Sequence, residues 1–461
     1  MSAVQPDVIV VGGGIGGLSA AFALTRKGFS VRVLERSAEF GEVGAGLQVA
    51  PNCSRILRTY GLLGDVRRLG VLPDSMVMKD AVDGTVLTSL DLKDMERRYG
   101  TPYIVIHRSD LHGLVLDGCR QAGVDLRTSR HVTGYGNTQN GARVTLADGT
   151  VHQAALVVAA DGLHSAARAR LVGDEPVNSA YVAYRGAVPI DLVRENGISE
   201  QDVVVYVGPR CHFVQYPLRG GEMFNQVAVF ESPRARAGEE DWGTPDELDA
   251  AFAGMTGNIQ RGLPLMWRDR WWRMFDRDPV MTWVYGRIAL LGDAAHPPLQ
   301  YIAQGAIMAI EDGYVLAEHL AANSGAAADT HGAGVDRALA AYQAVRAEHC
   351  RRVVETSRAW GALWHLDGAK RERRNEILRA RDPRDYRFVD WLYSVTALTP
   401  AEEPPIFQAI PLETPVSIVP GALKPIKKCK VQAFRTGACA TPGEPLTSRQ
   451  VAGPPRSFLR C

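Results

Sequence analysis

Long apolar runs are missing from this 461-residue chain, and no stretch approaches the ~20 residues that a membrane helix needs. Charge of one sign is missing as well. The 52 Lys and Arg balance 51 Asp and Glu for a net charge of +1, which argues against nucleic acid or any other polyanion as a partner. Cysteines are few and dispersed (Cys53, Cys119, Cys211, Cys350, Cys429, Cys439 and Cys461), with no C-x-x-C pair. An odd, scattered set supports neither a disulfide framework nor a zinc site, so no metal is expected and the thiols fit a reducing cytoplasm. The first apolar strand starts by Asp7, which leaves no room for a signal peptide and again points to a cytoplasmic protein. No internal repeat is present. The remaining composition, 46% hydrophobic and 22% charged, is that of an ordinary globular protein long enough for two or three domains.

The strongest local pattern runs from Asp7 to Arg36. Asp7-Val8-Ile9-Val10-Val11 reads as a strand buried on both faces. Gly12-Gly13-Gly14-Ile15-Gly16-Gly17 follows, then helix formers to Lys27, Gly28 as a stop, and a second strand ending at Glu35. In such a βαβ fingerprint Gly12 allows the tight turn, Gly14 the approach of a pyrophosphate, and Gly17 close packing of helix on strand. The helix N-terminus favours the negative charge. Glu35, about 20 residues further on, can accept from a ribose hydroxyl, and Arg36 beside it is a further cofactor-binding candidate.

Gly44 to Asn52 reads as a loop whose backbone could approach a flat ligand, or equally as a surface turn. Asn52 to Leu69 reads as helix, and Val77 to Leu92 as a hairpin about Asp83-Gly84. Tyr103 to Ile106 is a strand, followed by a helix to Ala122 with Ser109 as its N-cap. Strands at 125–126 and 142–146 precede the buried strand Leu156 to Ala160, which ends in Asp161-Gly162. Asp161 lies where open α/β sheets bind ligands, or it simply caps a helix. From Ala180 to Thr282 short alternating segments predict a separate, mainly antiparallel sheet. Arg287 to Asp293 returns to a buried parallel strand, and Gly305 to Asn323, Leu339 to Trp364, 372–378 and 385–392 read as helices. The fold class is therefore α/β. A Rossmann-like domain (1–179 and 283–398, with 77–99 a candidate to join its neighbour) is interrupted by a β domain at 180–282. The proline-rich tail, 399–461, is expected to be loosely ordered.

The fingerprint with Glu35, the Gly44–Asn52 loop, Asp161-Gly162 and Gly292-Asp293-Ala294-Ala295-His296-Pro297 together resemble the single-component flavoprotein aromatic hydroxylases, the para-hydroxybenzoate hydroxylase-like family. Residues 39–49, 208–213, 215–233 and 292–312 look most like its branch that converts 3-hydroxybenzoate to gentisate. Most members read Gly-x-Gly-x-Asn where Ala303-Gln304-Gly305-Ala306-Ile307 stands here, so their Asn contact to the flavin is missing.

The resemblance implies tightly bound, non-covalent FAD with NADH as co-substrate, dioxygen and a small phenolic acid as substrates, and a homodimer. Carried over by position, Gly12, Gly14 and Gly17 cradle the pyrophosphate, and Glu35 holds the adenosine ribose. Arg108 offsets phosphate charge, and Asp293 holds ribityl or ribose hydroxyls. Gly44, Gly46, Gln48, Pro297, Gly305 and Ala306 line the isoalloxazine, and Asp161 and Gly162 serve FAD and the nicotinamide. Oxygen transfer needs an electron-rich ring, so a base that deprotonates the phenol is useful. His212 is the candidate, with Tyr216 on the same face of its strand and Gln300 beyond the flavin loop completing the grip on the phenol. From the residues alone His212 reads rather as a core histidine bonded to a backbone carbonyl, and the resemblance is what turns it to the phenol. His296 is expected to be structural. Arg185 could hold a carboxylate or the nicotinamide, or cap the sheet. Salicylate, a hydroxypyridine carboxylate or a polyketide phenol are the alternative substrates.

Overall fold

A computed structural model describes residues 5–41, 44, 46–194, 198–324, 332–394 and 397–398. The tail at 399–461 lies outside the described residues, as do Glu42, Val43 and Ala45 of the loop before Gly46.

Val8–Val11 is buried along its whole length and forms the middle of a six-stranded sheet. The order is Val284–Tyr285, Ile288–Leu290, Leu156–Ala159, Val8–Val11, Val31–Leu34, Asp125–Arg127, parallel except for the first pair. Helix Ile15–Arg26 packs against Arg108–Gln121 and Gly305–Ser324. Ligand-binding loops of such a sheet gather at the carboxyl ends of its strands, which here carry Gly12, Glu35, Asp161 and Gly292.

The second large sheet has seven strands in the order Trp272–Asp276, Val177–Pro189, Met223–Glu231, Cys211–Leu218, Asp202–Gly208, Ser75–Asp80, Val86–Asp91. Its pairs are antiparallel except Asp202–Gly208 with Ser75–Asp80, which is parallel. Every residue of the central strand Cys211–Leu218 is buried, so the two faces have different neighbours. Cys211 and Phe213 point into a core with Tyr206, Phe230 and Phe252. His212, Val214 and Tyr216 face the other way. That alternation follows from the period of two along a strand.

Several local readings are corrected. Gly46–Val49 is not loop but a strand paired antiparallel with Ile104–His107. The helix from Asn52 is two helices, Pro51–Tyr60 and Leu63–Leu69, broken by Gly61 at φ +80°. The cap of Arg108–Gln121 is His107, whose ring accepts from the Ser109 amide, rather than Ser109 itself. A strand at Val132–Thr138 is additional; Gly134 and Gly136 weaken its signal in the sequence. The long helix starts at Ala333 and runs to Trp364, delivering His365 to the second sheet.

Candidate active site

The glycine turn leaves no room for side chains. Gly12 has φ +108°, and a Cβ there would lie 2.2 Å from the Ala160 carbonyl oxygen; a Cβ on Gly17 would lie 2.0 Å from that of Gly12. Gly14 is the N-cap of the first helix, and no side chain bonds to that end. The first amides are thus available to an anion. Gly14 and Gly17 line a cavity of about 1170 Å³ that runs on between the two sheets. Glu35 folds back on the turn, accepting from the Gly13 amide at 2.6 Å and the Ser37 amide at 2.8 Å. Gly12, Glu35 and the exposed Arg36 are not part of the cavity wall.

The loop after Ile288–Leu290 is held from below. Asp312, fully buried, accepts from the Gly292 amide at 3.0 Å, from His296 Nε2 at 2.5 Å and from Arg346 Nε at 2.8 Å. Burial opposes charge on both His296 and Asp312, yet their mutual attraction outweighs it. His296 is pushed well above the usual imidazole value, and Asp312, helped by Arg346, is held at about 2. Arg168 donates to the Ala295 carbonyl at 2.5 Å and Ser357 to that of Leu299 at 2.6 Å. This scaffold presents Asp293 and Gln300 to the cavity, with Gly305 and Ala306 from the first turn of the next helix. Pro297 is buried, and its neighbour Pro298 reaches the wall. His296, Asp312 and Cys350 bring donor atoms within 4.8 Å of one another, but Arg346 and His296 already supply the positive charge that Asp312 faces.

On the opposite wall, Gly46 lies so close to Tyr216 that a Cβ would meet its ring at 2.3 Å. The Gly46 amide donates to Asn225 Oδ1 at 2.9 Å, and the Tyr103 hydroxyl to Gln48 Oε1 at 2.6 Å. Gly46, Gln48, Arg108, His212, Tyr216 and Gln300 all face the same cavity. Asp161 does not; its carboxylate accepts from the Tyr135 and Ser165 hydroxyls and from the Ala166 amide, and only Gly162 beside it reaches the wall. Its geometry is that of the helix-terminus alternative. Arg185 is no sheet cap: it lines the cavity with its guanidinium 5.3 Å from the Trp272 ring, and its Nε has no hydrogen-bond partner among the described residues. Burial lowers its pKa, and it has no salt-bridge partner there to offset that cost. Much of the remaining wall was not legible in the sequence. Met76 and Met78 come from the 75–91 hairpin, Leu378 and Trp391 from the last two helices, and Arg381 from the turn between them.

A matching family model, described as an FAD binding domain, spans residues 5–357. The chain belongs to the FAD-binding family of flavoprotein aromatic-ring monooxygenases. It is 38% identical over 391 residues to 3-hydroxybenzoate 6-hydroxylase of Polaromonas naphthalenivorans, covering 84% of this chain and 95% of that one. It is 37% identical over 406 residues to a 3-amino-4-hydroxybenzoate 2-monooxygenase of Streptomyces platensis, covering 86% and 98%. Klebsiella pneumoniae HpxO, solved with FAD and uric acid, superposes with a TM-score of 0.71 at 27% identity, covering 81% and 92%. The residues of this flavoprotein fit its cofactor: an uncapped helix end opens on a large cavity, and the glycines beneath it cannot be enlarged.

Four buried histidines, His212, His296, His349 and His365, give the flavoprotein a pH dependence of folding, and burial lowers His365 well below the usual imidazole value. Burial lowers His212 to about 3 and His349 to about 4, while the unfolded chain protonates both near 6.5. Below pH 6.5 the unfolded state binds more protons, so stability falls with acid, by on the order of 2 kcal/mol per histidine at pH 5. His296 has the opposite sign: its raised value adds stability that is complete below pH 6.5 and is lost as pH rises through the folded value. Urea midpoints should therefore drop clearly between pH 7 and pH 5; equal midpoints would contradict the neutral assignment.

Proposed function

We propose that this monooxygenase hydroxylates 3-hydroxybenzoate at the ring carbon para to its hydroxyl, consuming NADH, a proton and dioxygen and releasing gentisate, NAD and water. The observation that carries the reading is the convergence of His212, Tyr216, Gln300 and Arg185 on the cavity that the glycine turn also opens into. Three polar groups suit a phenol, and one cation without an anionic partner among the described residues suits a carboxylate. The overall similarity to 3-hydroxybenzoate 6-hydroxylase supports the same substrate.

FAD, when bound, supplies hydride acceptance and oxygen transfer. Gly12, Gly14 and Gly17 would take its pyrophosphate, Glu35 its ribose, and Arg108 and Asp293 the linking segment. Gly46, Gln48, Gly305 and Ala306 would border the ring system. On the substrate side His212 accepts the phenolic proton, raising electron density on the ring. Its Nδ1 is engaged by His365, so Nε2 is the nitrogen left for the phenol. Tyr216, whose hydroxyl burial keeps protonated, donates to the phenolate, and Gln300 donates its amide from the opposite loop. The cavity's Met, Trp and Leu walls exclude water from the developing charge. A cytoplasmic homodimer is part of the same reading and rests on the resemblance.

The test is NADH oxidation with a panel of 3-hydroxybenzoate, salicylate, 6-hydroxynicotinate and 3-amino-4-hydroxybenzoate, with products identified. Gentisate from 3-hydroxybenzoate supports the reading. Stimulated NADH oxidation that yields only hydrogen peroxide overturns it. Arg185→Met should raise KM for 3-hydroxybenzoate about 10- to 100-fold, the value of a charge-assisted hydrogen bond. Resorcinol, which has no carboxylate, should be little affected; equal losses for both would reject the carboxylate role.

A further inference from the structure

His212, in the cavity wall, is backed by a second histidine. His365, reached from the end of the 333–364 helix, places Nε2 2.9 Å from His212 Nδ1, with the two rings stacked at 5.1 Å and inclined by 20°. The two residues are 153 positions apart in the chain, and each is nearly closed off from solvent, His212 at 1% and His365 at 7% exposure. Tyr301 lies 5.4 Å from each ring, Trp364 meets His212 edge-on at 5.2 Å, and Tyr181 stacks on His365 at 4.6 Å. Among the described residues no carboxylate bonds to either ring. Arg374, whose charge further lowers His365, is committed to the Leu363 and Trp364 carbonyls and to Asn375, with Asp80 beyond it at 3.8 Å.

A hydrogen bond between two imidazoles requires one N–H and one lone pair, so the tautomers of His212 and His365 are coupled. We propose that His365 is the positioning residue of His212 and the second carrier of the proton taken from the substrate, a role that rests on the hydroxylase reading above. The phenolic O–H bond breaks as His212 Nε2 takes its proton. The His212 Nδ1–H bond breaks as His365 Nε2 takes that one, and His365 releases its own Nδ1 proton to water. Both rings end neutral, with their tautomers exchanged, and the substrate is left as phenolate.

Two facts favour a relay over a lone base. Burial holds His212 at about 3, so a proton from a phenol, ordinarily near 10, has little tendency to rest on it and must move on. The route outward is also short. The His365 carbonyl accepts from the Arg210 amide at 3.2 Å, and Arg210 and Asp367, two residues before His212 and two after His365, are exposed and 3.8 Å apart.

His365→Phe keeps a flat ring against Tyr181 and His212 and removes both nitrogens. With the FAD-loaded full chain, ionisation of bound 3-hydroxybenzoate is followed by ultraviolet difference spectra across pH, beside steady-state hydroxylation. The expected result is unchanged FAD content and a KM within about threefold. Bound-phenol ionisation and the acidic limb of kcat should be displaced upward by about one pH unit or more, with kcat down about tenfold at neutral pH and recovering in alkali. An ionisation curve matching the unaltered enzyme, or a loss equal at every pH, overturns the relay. If His365→Phe does not fold, His365→Asn is read by the same criteria, since its amide can bond to His212 but cannot pass a proton on. Failure of the hydroxylase reading is seen separately, as absence of hydroxylated product from the unaltered enzyme.

Discussion

Replacing His212 with alanine is expected to lower coupled hydroxylation about 10²-fold or more while leaving FAD in place. The separation of the two effects follows from where the residue sits. His212 belongs to the second sheet, whereas the glycine turn, Glu35 and Asp293 belong to the loops of the first. Loss of the imidazole removes the proposed base without touching the turn. Some destabilisation accompanies it, because His365 loses its hydrogen-bond partner and Tyr301 and Trp364 lose a packed neighbour. Flavin absorbance of the purified protein, NADH oxidation and product yield together check the prediction. Wild-type product formation would remove His212 from the mechanism, and colourless protein would place it in cofactor retention instead.

Asp312→Asn is expected to cost about 3–5 kcal/mol of folding stability, the usual consequence of breaking a buried ion pair from one side. The side chain is fully buried and serves the Gly292 amide, His296 and Arg346 at once. An amide of the same shape cannot accept from all three, and its NH₂ group would face donors. Arg346 keeps Glu311 at 2.8 Å, so the guanidinium is not stranded; the loop suffers most. Since that loop carries Asp293 and Gln300, weaker FAD retention should accompany the lower urea midpoint. An unfolding free energy within about 0.5 kcal/mol of the unaltered protein would show that Asp312 is dispensable.

Most of the fold and part of the site could be read from residues in order. The Asp7–Arg36 unit announces itself because strand, turn, helix and second strand are contiguous, and the turn's needs are met by glycine alone. The same holds for the alternation that puts His212 and Tyr216 on one face, a property of a single strand. Local reading failed where a competing partner lay far away in the chain. Gly46–Val49 looks like a loop because its strand exists only by pairing with Ile104–His107. Asp161 could be ligand or cap, and Tyr135 with Ser165 and the helix amides decided its position.

The sequence by itself determined the strand, glycine turn, helix and second strand between Asp7 and Arg36, because steric and dipolar demands at a glycine turn are local. It also determined the family, since four separated motifs stand in order. Only the tertiary structure decided that Arg185 lies in the cavity wall without a salt-bridge partner among the described residues, that His212 is paired with His365, and that Asp312 carries the loop of Asp293. Pairing and burial depend on groups brought together from distant parts of the chain, and no spacing in the sequence encodes those distances.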